Sequence, residues 1–255
     1  MINRRVFLKQ SVTTALAIGC LPNWAKDSLI DSEDPLFWSV NRLMGMNPVS
    51  LKEKDTLVLT RKTFKAFNKM RVAAWEDGIV ISPVSSFRSY SRQKAIFETK
   101  FDRFIREGMT AVAAVNKIIE YSTIPGTSRH HWGTDIDVIQ GKIKIEGDVL
   151  LEEHFNSGGA FENLHHWLTD NAANYGFYLV YTNHPERKGF KYEPWHLSYA
   201  PESIPILKRY LNKGVYEIAL RQKVKGIEVI NSSLKTSYLR EQLLDINPLL
   251  LPYIS

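Results

Sequence analysis

The chain has 255 residues, 44% hydrophobic and 24% charged, and a formal net charge of +6. This composition excludes a disordered or collagen-like protein and leaves one domain, or one domain with an appendage, around an ordinary apolar core. The single cysteine, Cys20, excludes an internal disulfide. The positive excess favours acidic partners, but no basic run is clustered, which argues against nucleic acid.

Residues 1–25 stand apart from the core. Arg4-Arg5-Val6-Phe7-Leu8-Lys9 is a twin-arginine pattern, followed by the modestly apolar Val12 to Leu21 and a cleavage position near Trp24-Ala25. It reads as an export signal, with an apolar run too short to span a bilayer comfortably. Ala17-Ile18-Gly19-Cys20 also fits a lipoprotein cleavage box, so a lipid anchor at Cys20 stays open. Residues 26–59 are a lead-in in which Leu36 to Met44 has the spacing of a short helix.

Thr60 caps a helix expected over Arg61 to Trp75, with Phe64, Phe67, Met70, Val72 and Ala73 on its buried face. Ile79 to Ser86 reads as a strand, and Arg88 stands where that strand gives way to the next helix. A long helical stretch runs from Ser91 to about Ile119, broken at Gly108-Met109-Thr110, with Ile96, Phe97, Phe101, Phe104 and Ile105 as its apolar stripe.

The chemistry concentrates in Ser128-Arg129-His130-His131-Trp132-Gly133-Thr134-Asp135-Ile136-Asp137. Alternation after Gly133 predicts a strand with Thr134, Ile136 and Val138 on one face and Asp135 and Asp137 on the other. Such a strand buries one face and aims carboxylates and imidazoles from the other. Zinc accepts both donor types, and a catalytic site needs three protein ligands and one open position. This stretch can supply two. The third is expected from Tyr192-Glu193-Pro194-Trp195-His196, where a carboxylate precedes a histidine by three residues. Pro194 disfavours a helix there, and residues three apart on a regular strand face opposite ways. Glu193 and His196 can therefore share one ion only if the segment bends near Pro194-Trp195. His131 is expected to pack, and His165 and His166 to be non-ligands.

Between and beyond these motifs, Gly141 to Gly147 alternates like a hairpin arm, and Phe161 to Tyr175 reads as a helix stopped at Gly176. Phe177 to Tyr181 and Glu193 to Tyr199 read as strands, and the chain turns helical from Pro201. Helices interleaved with hairpin-like strand pairs favour an α+β fold with a small, mostly antiparallel sheet over a doubly wound parallel one.

Ser128-x-His130-x-x-Gly133-x-x-x-Asp137 with Glu193-Pro194-Trp195-His196 resembles the signature of VanY-type D-alanyl-D-alanine carboxypeptidases. These belong to the zinc peptidase superfamily that includes lysostaphin-type enzymes and the hedgehog domain. The resemblance implies one zinc ion held by His130, Asp137 and His196, with Glu193 as catalytic base. Arg88, in Ser86-Phe87-Arg88-Ser89-Tyr90, matches the family's upstream element and is implied in catalysis, with Gln93 following it. Ser128, Arg129, Gln93 and Tyr181 are the candidate substrate-binding residues. Asp135 and Trp195 stand behind the ligands, Asp135 as an acceptor orienting a ligand histidine. Val180 and Ser198 stand where relatives often carry arginine.

The expected organisation is an export signal (1–25), a lead-in (26–59), a zinc peptidase domain of hedgehog/DD-peptidase-like α+β fold (60–200) and a helical C-terminal extension (201–255). The implied function is an exported enzyme of the periplasm or cell envelope that cuts peptidoglycan stem peptides as a D,D-carboxypeptidase. An L,D-carboxypeptidase, an endopeptidase and a catalytically silent wall-binding module are the alternatives.

Overall fold

The computed structural model describes residues 38–47, 52–54 and 57–252. Residues 1–25, read above as an export signal, with Cys20, and most of the lead-in lie outside the described residues. Contacts divide the chain after Ser39, and the unit Val40–Ser255 is described by itself.

Helix α1 (Val40–Leu43) precedes a hairpin of β1 (Lys52–Lys54) and β2 (Leu57–Leu59). Helix α2 (Arg61–Glu76) starts at Thr60, whose hydroxyl accepts the Thr63 N–H. Phe67, Met70 and Ala74 turn inward. Val72, expected on that face, is 57% exposed, because the helical period carries it to the opposite side from residues 67, 70 and 74. Strand β3 (Ile81–Ser85) lies at a sheet edge, where Pro83 costs no ladder hydrogen bond.

Gly108 divides the long helical stretch into α3 (Tyr90–Arg106) and α4 (Ala111–Ile118), capped by the hydroxyls of Ser89 and Thr110. The buried stripe of α3 is Gln93, Phe97 and Phe104, so Ile105, one residue round the helix from Phe104, is partly exposed. A 3-10 turn, Arg129–Trp132, stops at Gly133, whose φ of 71° is a left-handed value that glycine adopts without strain. Then come β4 (Asp135–Gln140) and α5 (Glu162–Asn171), which tightens to a 3-10 turn and ends at Gly176. Strands β5 (Phe177–Leu179) and β6 (His196–Tyr199) are followed by α6 (Ala200–Asn212), α7 (Val215–Ala219) and α8 (Ser232–Tyr238).

The four-stranded sheet has the order β3-β4-β6-β5 and is antiparallel throughout. One face buries Ile136, Val138 and Leu197 with Phe67, Met70, Phe161, Leu164 and Phe177. Each such side chain contributes about 1.5–3 kcal/mol when fully buried. The expected arm over 141–147 forms no strand. The Gly141 N–H still reaches Val80 O at 2.7 Å, but Lys142 turns to a φ of 68° and the chain leaves the sheet.

The C-terminal segment clasps the outer edge of β5. Asn247 donates from its backbone to Val180 O and from its side chain to Leu179 O, at 2.9 and 3.0 Å. The Asp245 carboxylate accepts the N–H groups of Lys188 and Gly189, while the Arg187 guanidinium donates to the carbonyls of Thr182, Phe190 and Asp245. The loop between β5 and β6 is thereby tied at both ends. Among the described residues, no helix is long and apolar enough to cross a membrane.

Candidate metal centre

Three elements deliver the centre. His130 rides the 3-10 turn, Asp137 the middle of β4, and His196 the first position of β6. Asp137 pairs directly with His196 in the antiparallel register, so both project from the sheet face opposite Ile136 and Leu197. One ligand atom from each of the three residues lies within 4.8 Å of the others, and all three residues are buried.

The hydrogen bonds select which nitrogens face inward. His130 donates from Nδ1 to Ser86 O at 2.8 Å, which leaves Nε2, 3.4 Å from Asp137 Oδ2. His196 donates from Nε2 to Asp135 Oδ2 at 3.0 Å, which leaves Nδ1, 3.9 Å from Asp137 Oδ1. Both outer N–H groups are therefore held by oxygen acceptors, as metal-binding histidines require. Asp137 Oδ1 is buried without a hydrogen-bond partner. An orphaned carboxylate oxygen between two oriented imidazoles fits one zinc ion.

The charges agree. Burial opposes an imidazolium at His196, yet Asp135, Glu193 and Asp137 around it raise its pKa to about 10. Burial works against the Asp137 carboxylate too, but His130, His196 and Arg88 hold its pKa below the usual value. The cluster is built for a cation, and a divalent ion would take the place of the His196 proton.

Glu193 reaches the same point by a bend. The expected strand from Glu193 begins only at His196, because Glu193 to Trp195 form a turn in which the His196 N–H returns to Glu193 O at 3.1 Å. Glu193 Oε2 thus comes to 2.9 Å from His196 Nδ1. Trp195 packs on Phe155 at 5.8 Å at the edge of the core and also lines the cleft.

Arg88 is stapled to the ligand turn. Its N–H donates to His130 O, its carbonyl accepts from His131 Nδ1, and its guanidinium stands 4.0 Å from Asp137. Gln93, expected to bind substrate, is fully buried outside the cleft lining. Its Oε1 accepts from Arg88 Nη1 at 3.0 Å, so it holds Arg88 in place, a consequence of its position on the inward stripe of α3. His131 packs, with both ring nitrogens used: Nδ1 donates to Arg88 O and Nε2 accepts the Gly126 N–H at 3.1 Å. His165 bonds Phe155 O and the Tyr192 hydroxyl, and His166 faces Glu162.

Behind His196 lies a buried polar group. Asp135, 0% exposed, accepts from Arg129 Nε, His196 Nε2 and the hydroxyls of Thr134 and Ser198. Arg129 also donates to Ser198 Oγ at 2.7 Å and lies 4.9 Å from the Trp132 ring centre. The guanidinium is clamped to Asp135 and Ser198, although Arg129 still lines the cleft.

The cleft over the centre has a volume of about 530 Å³ and includes Ser128, Arg88, Tyr181 and Tyr192 in its lining. Tyr181 meets the His196 ring edge-on at 5.2 Å, and burial with nearby Glu193 keeps its phenol protonated. Sequence reasoning missed Lys100, Asp148 and Glu152, which also line the cleft. For Lys100 the available signal is its place on the inward stripe of α3.

Fold and centre together define a class: small antiparallel sheets that bring two histidines and an aspartate to one point able to hold a single metal ion. A family model described as VanY, D-alanyl-D-alanine carboxypeptidase, matches residues 56–202, and the chain belongs to that family. The carboxypeptidase-named protein YodJ of Bacillus subtilis (strain 168) is 31% identical over 142 residues, 55% of this chain and 46% of its own. A protein of Enterococcus faecalis (strain ATCC 700802 / V583) named D-alanyl-D-alanine carboxypeptidase is 27% identical over 128 residues, 50% of this chain and 42% of its own. The chain therefore matches a little under half the length of these two relatives. The solved structure described as VanYB in complex with D-Alanine-D-Alanine shares the fold at a TM-score of 0.50 and 21% identity, covering 69% of this chain and 91% of that one.

Proposed function

We propose that this chain is an exported zinc peptidase that hydrolyses peptidoglycan stem peptides, acting as a D-alanyl-D-alanine carboxypeptidase. The observation that carries the reading is the convergence of His130, Asp137 and His196 with Glu193, whose Oε2 stands 2.9 Å from His196 Nδ1 inside a cleft. Family membership over residues 56–202 and the name of the Enterococcus relative support the substrate class. Residues 1–25, with Arg4-Arg5, supply the export signal of this reading.

When bound, zinc supplies a Lewis acid that polarises the scissile carbonyl and acidifies the attacking water. Glu193 takes the proton from that water and hands it to the departing amine, a transfer its place beside His196, with Oε2 2.9 Å from Nδ1, permits. Arg88, held by Gln93 and Ser85, donates to the oxygen on which negative charge develops. Asp135 holds the His196 ring so that Nδ1, and not Nε2, faces Asp137 and would be the nitrogen to hold a metal. Tyr181 and Ser128 line the cleft with hydroxyl donors for the peptide.

The test is to incubate the zinc-loaded protein with a defined stem pentapeptide and weigh the products. Release of one terminal D-alanine is expected. Release of a residue only from a tetrapeptide would make the enzyme an L,D-carboxypeptidase, and cleavage within a crossbridge would make it an endopeptidase. No cleavage of any of these would overturn the reading.

A further inference from the structure

Helix α3 turns Gln93, Phe97 and Phe104 inward. Lys100 lies three residues after Phe97 and four before Phe104, on the same stripe. A lysine at a core position is rare unless its ammonium is paired, because the apolar stem can be covered while the charge must still be met. Lys100 is half-buried and lines the cleft over the metal centre. Burial, with the like charges of Arg103 and Arg88, pulls its pKa below the ordinary lysine value, against the opposing pull of the Glu193 and Asp148 carboxylates.

The two arginines of the cleft are each anchored by protein groups. Arg88 is bonded to Gln93 and Ser85, and Arg129 to Asp135 and Ser198 through Nε and Nη2, with Nη1 buried and without a partner. Arg92, near the start of the same helix, is exposed and is not part of the lining. Among the described residues the Lys100 ammonium has no direct hydrogen-bond or ion-pair contact, and the Asp148 and Glu193 carboxylates of the same cleft act on it only from a distance. A lysine offers three donors and accepts none, so what it lacks is an acceptor, and an anionic one is favoured.

We infer that Lys100 is a specificity-determining residue whose ammonium pairs with one carboxylate of the peptide lying in the cleft. The inference rests on the peptidase reading above and deepens it. It adds a substrate contact supplied by α3, outside both sequence motifs that build the centre. Glu193 serves the scissile bond, while Lys100 selects acidic peptides by holding a carboxylate against the α3 wall.

The experiment measures binding, so that it stands apart from turnover. Zinc-loaded Glu193→Gln protein is titrated with a stem pentapeptide and with versions in which each carboxylate is amidated in turn. The same titrations follow in Glu193→Gln carrying Lys100→Met or Lys100→Arg. Amidating one carboxylate is expected to weaken binding roughly tenfold to a hundredfold, the range of a charge-assisted hydrogen bond. Lys100→Met should show that loss with the free acid and no further loss with that amide, and Lys100→Arg should recover most of it. In the otherwise unmutated enzyme, Lys100→Met should raise KM with little change in kcat. Equal affinity of Lys100→Met for every peptide relative to its parent, or an equal loss for all peptides, would overturn the inference. If peptides bind with this pattern but none is cleaved by the unmutated protein, the peptidase reading fails and the Lys100 contact stands.

Discussion

Replacing Arg129 with leucine removes the charged partner of a fully buried carboxylate. Asp135 is 0% exposed and Arg129 4%, and their Nε to Oδ2 distance is 2.9 Å. Burial alone would raise the Asp135 pKa, but Arg129, His196 and His130 bring it well below the usual carboxylate range. In the variant, Asp135 keeps only the hydroxyls of Thr134 and Ser198 and the His196 N–H. Breaking one side of a buried ion pair costs about 3–5 kcal/mol, because the remaining charge is left uncompensated. For a chain of this size each kcal/mol shifts the midpoint by about 2–4 °C, so Tm should fall by roughly 6–20 °C. The assay is thermal unfolding at fixed protein and zinc concentration, since bound metal adds its own stabilisation. A double variant, Arg129→Leu with Asp135→Leu, should recover much of the loss by removing both charges. An Arg129→Leu protein that melts within about a degree of the unmutated chain would refute the claim that this pair is buried and mutually dependent.

Other outcomes follow from the same geometry. His196→Ala should abolish stoichiometric zinc, read by elemental analysis, and full zinc retention would show that the third ligand lies elsewhere. Asp135→Asn leaves Arg129 uncompensated, so it should lower Tm as well as weaken zinc by about 10–100-fold in a chelator competition, since an outer partner of a ligand histidine is worth that much. His131 is held neutral by burial, with its pKa lowered to about 3. The unfolded chain takes up that proton near pH 6.5 and the folded one does not, so stability is full above about 6.5 and is lost as pH falls towards 3. In urea unfolding, His131→Gln should flatten this slope between pH 6.5 and 4.5, and an unchanged slope would exclude His131 as its source. Asp245→Ala should free the Lys188 and Gly189 N–H groups and speed proteolytic nicking between residues 182 and 190.

Much of the centre was legible because strand alternation and register are simple rules. Thr134 to Val138 reads as a strand with two carboxylates on one face, and the Asp137–His196 pairing then brings two distant motifs together. The bend at Pro194 was legible from the conflict between a three-residue spacing and a strand's period of two. What escaped reading depends on tertiary context. Whether Arg129 faces water or a buried Asp135 is decided by Ser198, 69 residues away. Gln93 follows Arg88 in sequence like a substrate residue, but its place on the α3 stripe turns it into a support. Ile105 and Val72 are apolar residues left on the outer side of their helices, and hydrophobicity without exact phase could not separate them from the core. The arm over 141–147 alternates correctly, yet the left-handed turn at Lys142 takes it off the sheet.

The most direct measurement compares Glu193→Gln with the unmutated protein for zinc content and for release of D-alanine from a stem pentapeptide. One zinc per chain in both, with turnover lower in the variant by about a hundredfold or more, is the predicted result, since Glu193 moves the proton and the three ligands hold the ion. Full activity in Glu193→Gln at unchanged zinc would contradict it.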